Sequence, residues 1–166
     1  MQPTLTDRSL RASDEMSPHD VRVVLASARM LQRASLADAV QPLLRGKNLG
    51  LMCEADDGDA ALFRRAAVEL GAHVAHVRPS LSELSTPVEV QHTARMLGRL
   101  YDAVECQGMA PALVRQMGRD AGVPVYDGIA TLQHPMSRLA ELLGDDASPA
   151  DNRRFVLQAA LLSTLT

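Results

Sequence analysis

Residues 53–60 read Cys53-Glu54-Ala55-Asp56-Asp57-Gly58-Asp59-Ala60 and place four carboxylates between two apolar segments. Residues 49–53 have the composition of a buried strand, and residues 60–70 carry helical spacing. A strand-to-helix turn of this kind aims backbone N–H groups and the positive end of a helix dipole outward, which suits an anion. Glu54, Asp56, Asp57 and Asp59 work against one. Their own chemistry is that of ligands for a hard cation such as Ca²⁺ or Mg²⁺, or of a pocket for a cationic small molecule. The spacing does not complete an EF-hand loop, which needs a further glutamate downstream. The competing reading is a solvated turn, because carboxylates at a helix start are both favourable and common. No metal site is assigned on this pattern, and no cofactor is expected.

Other reactive side chains carry less. Cys53 and Cys106 both fall near carboxyl ends of expected strands, where two thiols on neighbouring strands can form a redox pair or, with His134, a soft-metal site. Buried, inert cysteine is the commoner outcome. His73 and His76 stand i, i+3 on a strand and therefore face opposite sides. Arg64 and Arg65 lie in the first turns of a helix and are expected to face solvent.

These residues need a frame. Ser17-Pro18-His19-Asp20 reads as a capped helix start, and Val21, Val24, Leu25, Ala28 and Leu31 form its apolar stripe. A second short helix is expected over 35–44. Strands are then expected over 49–53, 73–77, 103–106 and 123–126, with helices over 60–70, 87–100 and 110–121 between them. Such alternation implies right-handed crossovers and an α/β fold: a parallel sheet of about four strands flanked by helices. A helix over 135–143, a turn-rich connector over 144–149 and a last helix over 149–162 complete the chain. Residues 1–15 are expected as a flexible tail and 16–166 as one domain. In such sheets ligands sit beyond the carboxyl ends of the strands, which points to the loops 54–59, 78–86, 107–109 and 127–134.

Composition narrows the function classes. The chain has 166 residues, 46% of them hydrophobic, so it can bury a real core. A net charge of −3 and the absence of a basic block argue against a nucleic-acid surface. Phe63, Phe155, Tyr101 and Tyr126 are the only aromatics, too few for base stacking. No apolar run has the length of a membrane span. Two cysteines make no disulfide framework, so a cytoplasmic setting is expected.

Several segments resemble one family. Gly46-Lys47-Asn48-Leu49-Gly50-Leu51-Met52 resembles the opening of the carbamoyl-phosphate domain of ornithine and aspartate carbamoyltransferases. Thr93-Ala94-Arg95-Met96-Leu97-Gly98-Arg99-Leu100-Tyr101-Asp102 is close to the ornithine type. Gly122-Val123-Pro124-Val125-Tyr126-Asp127-Gly128 is similar to the family's Val-Pro-Val strand and following glycine, and His134-Pro135 matches the first half of its His-Pro-Thr-Gln or His-Pro-Cys-Gln motif. Asp151-Asn152-Arg153-Arg154 and Ala159-Ala160-Leu161-Leu162 resemble the last helix, which in the family returns from the second, amino-acid-binding domain. The likeness runs over 17–166, with no counterpart of that second domain before the last helix.

The resemblance implies a carbamoyltransferase N-domain-like fold, a trimer, and a ligand site between subunits. It also maps the expected site. The family's Ser-Thr-Arg-Thr-Arg phosphate cradle, anchored on Phe63, falls on Asp56-Asp57-Gly58-Asp59-Ala60. Its Arg-Gly after the third strand stands as Gln107-Gly108, the glutamine of its His-Pro motif as Ser137, and a lysine of the second loop as Pro87. His134 is retained and matches the residue thought to polarise the carbamoyl carbonyl; alternatively it is a helix-start residue bonded to nearby backbone. At an effective dielectric of about 20, like charges about 4 Å apart repel by roughly 4 kcal/mol, so carboxylates in the cradle oppose a phosphate. The expectation is therefore a non-catalytic, oligomerising structural or regulatory subunit, a homotrimer able to associate with an active enzyme. The alternative is a binding protein or enzyme whose acidic pocket, built from Glu54, Asp56, Asp57, Gly58, Asp59, Gln107, His134 and Ser137, takes a cationic small molecule or a divalent metal.

Overall fold

The computed structural model describes residues 16–166; the tail expected over 1–15 lies outside the described residues. The first helix, α1 (Pro18–Leu36), begins where Ser17 accepts a hydrogen bond from the Asp20 N–H. It leads to β1 (Asn48–Met52), α2 (Gly58–Glu69), β2 (His73–Val77), α3 (Pro87–Leu100), β3 (Ala103–Cys106), α4 (Pro111–Ala121) and β4 (Val125–Asp127). A short α5 (Met136–Leu139) continues as a 3₁₀ turn, Ala140–Leu143, before α6 (Pro149–Leu165). The strands form one parallel sheet in the order β2-β1-β3-β4, as the strand–helix alternation implies.

Side chains alternate across this sheet and build two cores. On one face Leu49, Leu51, Cys53, Ala103 and Tyr126 pack with Phe63 and Ala67 of α2, Val24 and Ala28 of α1, and Phe155 and Ala159 of α6. On the other face Met52, Val104, Cys106 and Val125 meet Val90, Ala94 and Leu97 of α3 and Val114 and Met117 of α4. Gly98 lets α3 and α4 approach closely, since a Cβ there would stand 1.9 Å from the carbonyl oxygen of Ala121.

No second helix forms over 35–44, where α1 itself runs on to Leu36. The Ala37 N–H folds back onto Arg33 and Ser35 to end α1. Asp38 then adopts a left-handed φ of 52°, and Pro42 lacks an N–H to donate. The segment is instead tied to the domain by the Leu44 N–H bonding to the Leu70 carbonyl. The last helix runs further than expected, to Leu165. It is buried on nearly all sides, lodged between α1 and α2, with Ser148 capping its start.

Candidate functional site

The loops after β1, β2 and β3 enclose an open cleft of about 570 Å³ at the carboxyl ends of the strands. Glu54 comes from the first loop, Leu81, Ser82 and Glu83 from the second, and Gln107 and Gly108 from the third. Leu113 of α4 closes the apolar side. No lysine or arginine is among the described residues lining it.

The acidic loop is spent largely on the fold. Asp57 caps α2, its Oδ1 accepting from the N–H groups of Asp59 at 3.1 Å and Ala60 at 3.0 Å. Asp56 accepts from Arg64 at 2.9 Å. Asp59 lies 3.6 Å from the Arg153 guanidinium on α6. Arg153 also donates to the Ala130 carbonyl at 2.9 Å, so it joins the start of α2 to the loop after β4. Among the described residues no group of three or more His, Cys, Asp or Glu side chains converges as metal ligands. Arg64 is thus paired within the loop, and Arg65 pairs with Glu69 one turn on.

His134 is buried, with its Nδ1 accepting from the Met136 N–H at 3.1 Å. A ring whose Nδ1 accepts carries its proton on Nε2 when neutral. Ser137 donates its hydroxyl to the Leu132 and His134 carbonyls and so fixes the turn that presents the ring. Gly128, at φ 66°, starts that turn, and its carbonyl accepts from both the N–H and the hydroxyl of Thr131. Glu54 and Gln107 therefore line the cleft, Asp56, Asp57, Gly58 and Asp59 form the capped start of α2, and His134 and Ser137 stand in the loop after β4.

Cys53 and Cys106 belong to opposite faces of the sheet, although β1 and β3 are neighbours. Burial pushes both thiols up, Cys106 strongly and Cys53 with help from Asp56 and Asp57, so neither is poised as a thiolate. His76 on β2 bonds through Nε2 to the Cys53 carbonyl at 2.8 Å.

One residue of this region is not flagged by motif or spacing. Glu105 sits in mid-strand, wholly buried, opposite Leu51 and Tyr126. Its carboxylate accepts from the Ile129 and Ala130 N–H groups, both at 3.1 Å, and from Gln107 Nε2 at 3.3 Å. Burial pushes it up to about 8, against the pull of those hydrogen bonds. The signal available in the sequence was a lone carboxylate inside Ala103-Val104-Glu105-Cys106, which burial turns into a group that must find partners.

Comparison with known proteins places this geometry. Residues 8–144 match the family model described as aspartate/ornithine carbamoyltransferase, carbamoyl-P binding domain. The ornithine carbamoyltransferase of Actinobacillus pleuropneumoniae serotype 5b is 34% identical over 140 residues, 84% of this chain and 42% of the relative. The catabolic ornithine carbamoyltransferase of Burkholderia mallei is 33% identical over 144 residues, 86% of this chain and 43% of the relative. The chain thus spans less than half the length of these relatives. Among solved structures, ornithine carbamoyltransferase from Pyrococcus furiosus superposes with a TM-score of 0.72 at 24% identity, over 85% of this chain and 45% of that one. Aspartate transcarbamoylase from Trypanosoma cruzi gives a TM-score of 0.62 at 20% identity, over 86% and 47%. These two likenesses speak to the fold.

The relatives are named as enzymes. This overturns the expectation of a non-catalytic structural or regulatory subunit, and with it the alternative of an acidic pocket for a cation. That expectation rested on the residues at 56–60, Gln107, Ser137 and Pro87 standing where the family has its phosphate contacts, and on the absence of a second domain; in the structure Arg64, Arg153 and the start of α2 engage the aspartates. With fold, motifs and relatives in agreement, the chain belongs to the aspartate/ornithine carbamoyltransferase family, through its carbamoyl-P binding domain.

Proposed function

We propose that this chain serves as the carbamoyl-phosphate-binding part of a carbamoyltransferase of the ornithine type. The observation that carries the reading is a family match over 8–144 coinciding with an open cleft at the carboxyl ends of β1 and β3. In carbamoyl transfer an amine attacks the carbamoyl carbon, negative charge gathers on the carbonyl oxygen, and phosphate leaves. A preorganised donor aimed at that oxygen lowers the barrier. His134, with its proton on Nε2, has the tautomer for that role once the donor reaches it. The acceptor amine belongs to the part of the relatives that this chain does not match.

Glu54 and Glu83 in the cleft weaken the hold on a phosphate dianion. In a homotrimer, as the family resemblance implies, a neighbouring subunit supplies the missing guanidinium or ammonium groups. Two buried thiols outside any disulfide fit a reducing, cytoplasmic setting. The test is calorimetric titration of the chain with carbamoyl phosphate at low salt, alongside its mass by light scattering. Saturable binding, displaced by inorganic phosphate and stronger in the trimer, is expected. A monomer that releases no binding heat overturns the reading.

A further inference from the structure

Glu105 and Gln107 stand two residues apart on the same side of β3 and its extension, and they connect two parts of the molecule. Gln107 lines the cleft. Glu105 lies beneath it and holds the loop after β4 through the Ile129 and Ala130 N–H groups. The backbone N–H groups of Gly128, Ile129 and Ala130 and the Gln107 amide converge on one carboxyl, which suits the ionised form. Complete burial suits the neutral form. The backbone N–H groups among them cannot become acceptors. Gln107 can, because an amide carries a donor at one corner and an acceptor at the other.

We propose that Glu105 and Gln107 form a proton-dependent amide switch that sets whether the cleft is offered a hydrogen-bond donor or an acceptor. With Glu105 ionised, Gln107 gives its Nε2–H to the carboxylate and turns its Oε1 the other way. When Glu105 takes up a proton from solvent, the new O–H needs an acceptor in a site otherwise filled with donors. The Gln107 amide rotates by half a turn, Oε1 accepts from Glu105, and the NH₂ group is released toward the cleft. The protonated form therefore favours carbonyl and phosphoryl oxygens as ligands, and the ionised form disfavours them. The other titratable and charged groups around Glu105 are Cys106 beside it on β3, Tyr126 opposite it on β4, Cys53 at the end of β1, Asp127 at the end of β4, His134 on the loop it holds, and Arg153 of α6, which bonds the Ala130 carbonyl of that loop. The switch is a property of the free chain and does not depend on carbamoyl phosphate being the ligand.

The experiment is a pH titration of the ¹⁵N-labelled chain by NMR, without ligand. The Ile129 and Ala130 backbone amides and the Gln107 side-chain NH₂ are expected to shift together, with a shared midpoint near 8. In Gln107→Leu the two backbone amides should still titrate, because the carboxyl that accepts from them is unchanged. In Glu105→Gln the shared step should vanish. Backbone amides that titrate while the Gln107 NH₂ stays still would overturn the switch. So would loss of the backbone step in Gln107→Leu, or no step in the wild-type chain between about pH 5 and 10. The wild-type and Gln107→Leu titrations decide the matter even if Glu105→Gln folds poorly.

Discussion

Arg154 on α6 donates from Nη1 to Glu69 in the last turn of α2, although 85 residues separate them in sequence. Its Nη2 donates to Asp151 at 2.7 Å, its guanidinium lies 4.8 Å from the Phe155 ring centroid, and Gln158 adds a bond to Glu69 at 3.1 Å. The arginine is 7% exposed and Glu69 31%, so the pair is screened on one side only. This network fixes the angle at which the last helix enters between α1 and α2.

Arg154→Met should keep much of the packing while removing the ion pairs. A loss of about 2 kcal/mol in urea denaturation is expected. Glu69→Gln should lose less, since half-exposed partners regain water. A change below about 0.5 kcal/mol in Arg154→Met would show that α6 is held by Phe155, Val156 and Ala159 alone.

Gly98→Ala tests the contact between α3 and α4. The added methyl would meet the Ala121 carbonyl carbon at 2.9 Å and its oxygen at 1.9 Å, and backbone cannot yield as a side chain does. The helices must separate, at about 3 kcal/mol or more. The thermal midpoint reports it, and an unchanged midpoint would mean that α3 shifts freely over α4.

How much of this could be read in the sequence depends on how local the cause is. The four strands and α2, α3 and α4 come within a few residues of their expected bounds, because apolar runs and capping residues such as Thr86 and Asp57 are local signals. The helix expected over 35–44 fails through Asp38 and Pro42, which set backbone geometry that apolar spacing does not report. The site is harder. Asp59 pairs with Arg153 and Glu105 with the 129–130 backbone, and both contacts exist only after the loops close over the sheet. Four clustered acids were legible as composition, but their partners were not, and the overturned expectation of a lost site rested on them together with Gln107, Ser137 and Pro87 at the family's contact positions.

Asp57→Ser separates the two jobs of that aspartate. A serine hydroxyl can accept from the Asp59 and Ala60 N–H groups, so the start of α2 should be preserved to within about 0.5 kcal/mol. Removing the charge should strengthen binding of carbamoyl phosphate or inorganic phosphate by roughly 5- to 10-fold, about 1 kcal/mol at this partly solvated position. Competition binding at two salt concentrations checks both parts, since the gain should shrink as salt rises. Unchanged affinity would place the phosphate away from the start of α2.

Glu105 also gives the fold a pH dependence of its own. Unfolded, its carboxyl ionises near 4.5; folded, burial holds the proton until about 8. The native state binds more protons than the unfolded state across that window, so stability must fall as pH rises through it. The contribution is fully present below 4.5 and is lost by about 8. Asp127, raised mainly by burial, works in the same direction. Over the window the loss should reach on the order of a few kcal/mol. Urea midpoints at about pH 5, 7 and 9 should decline for the wild-type chain and decline much less for Glu105→Gln, which has no proton to lose. Parallel profiles for the two proteins would show that Glu105 keeps its charge in the folded state and that its N–H donors outweigh its burial.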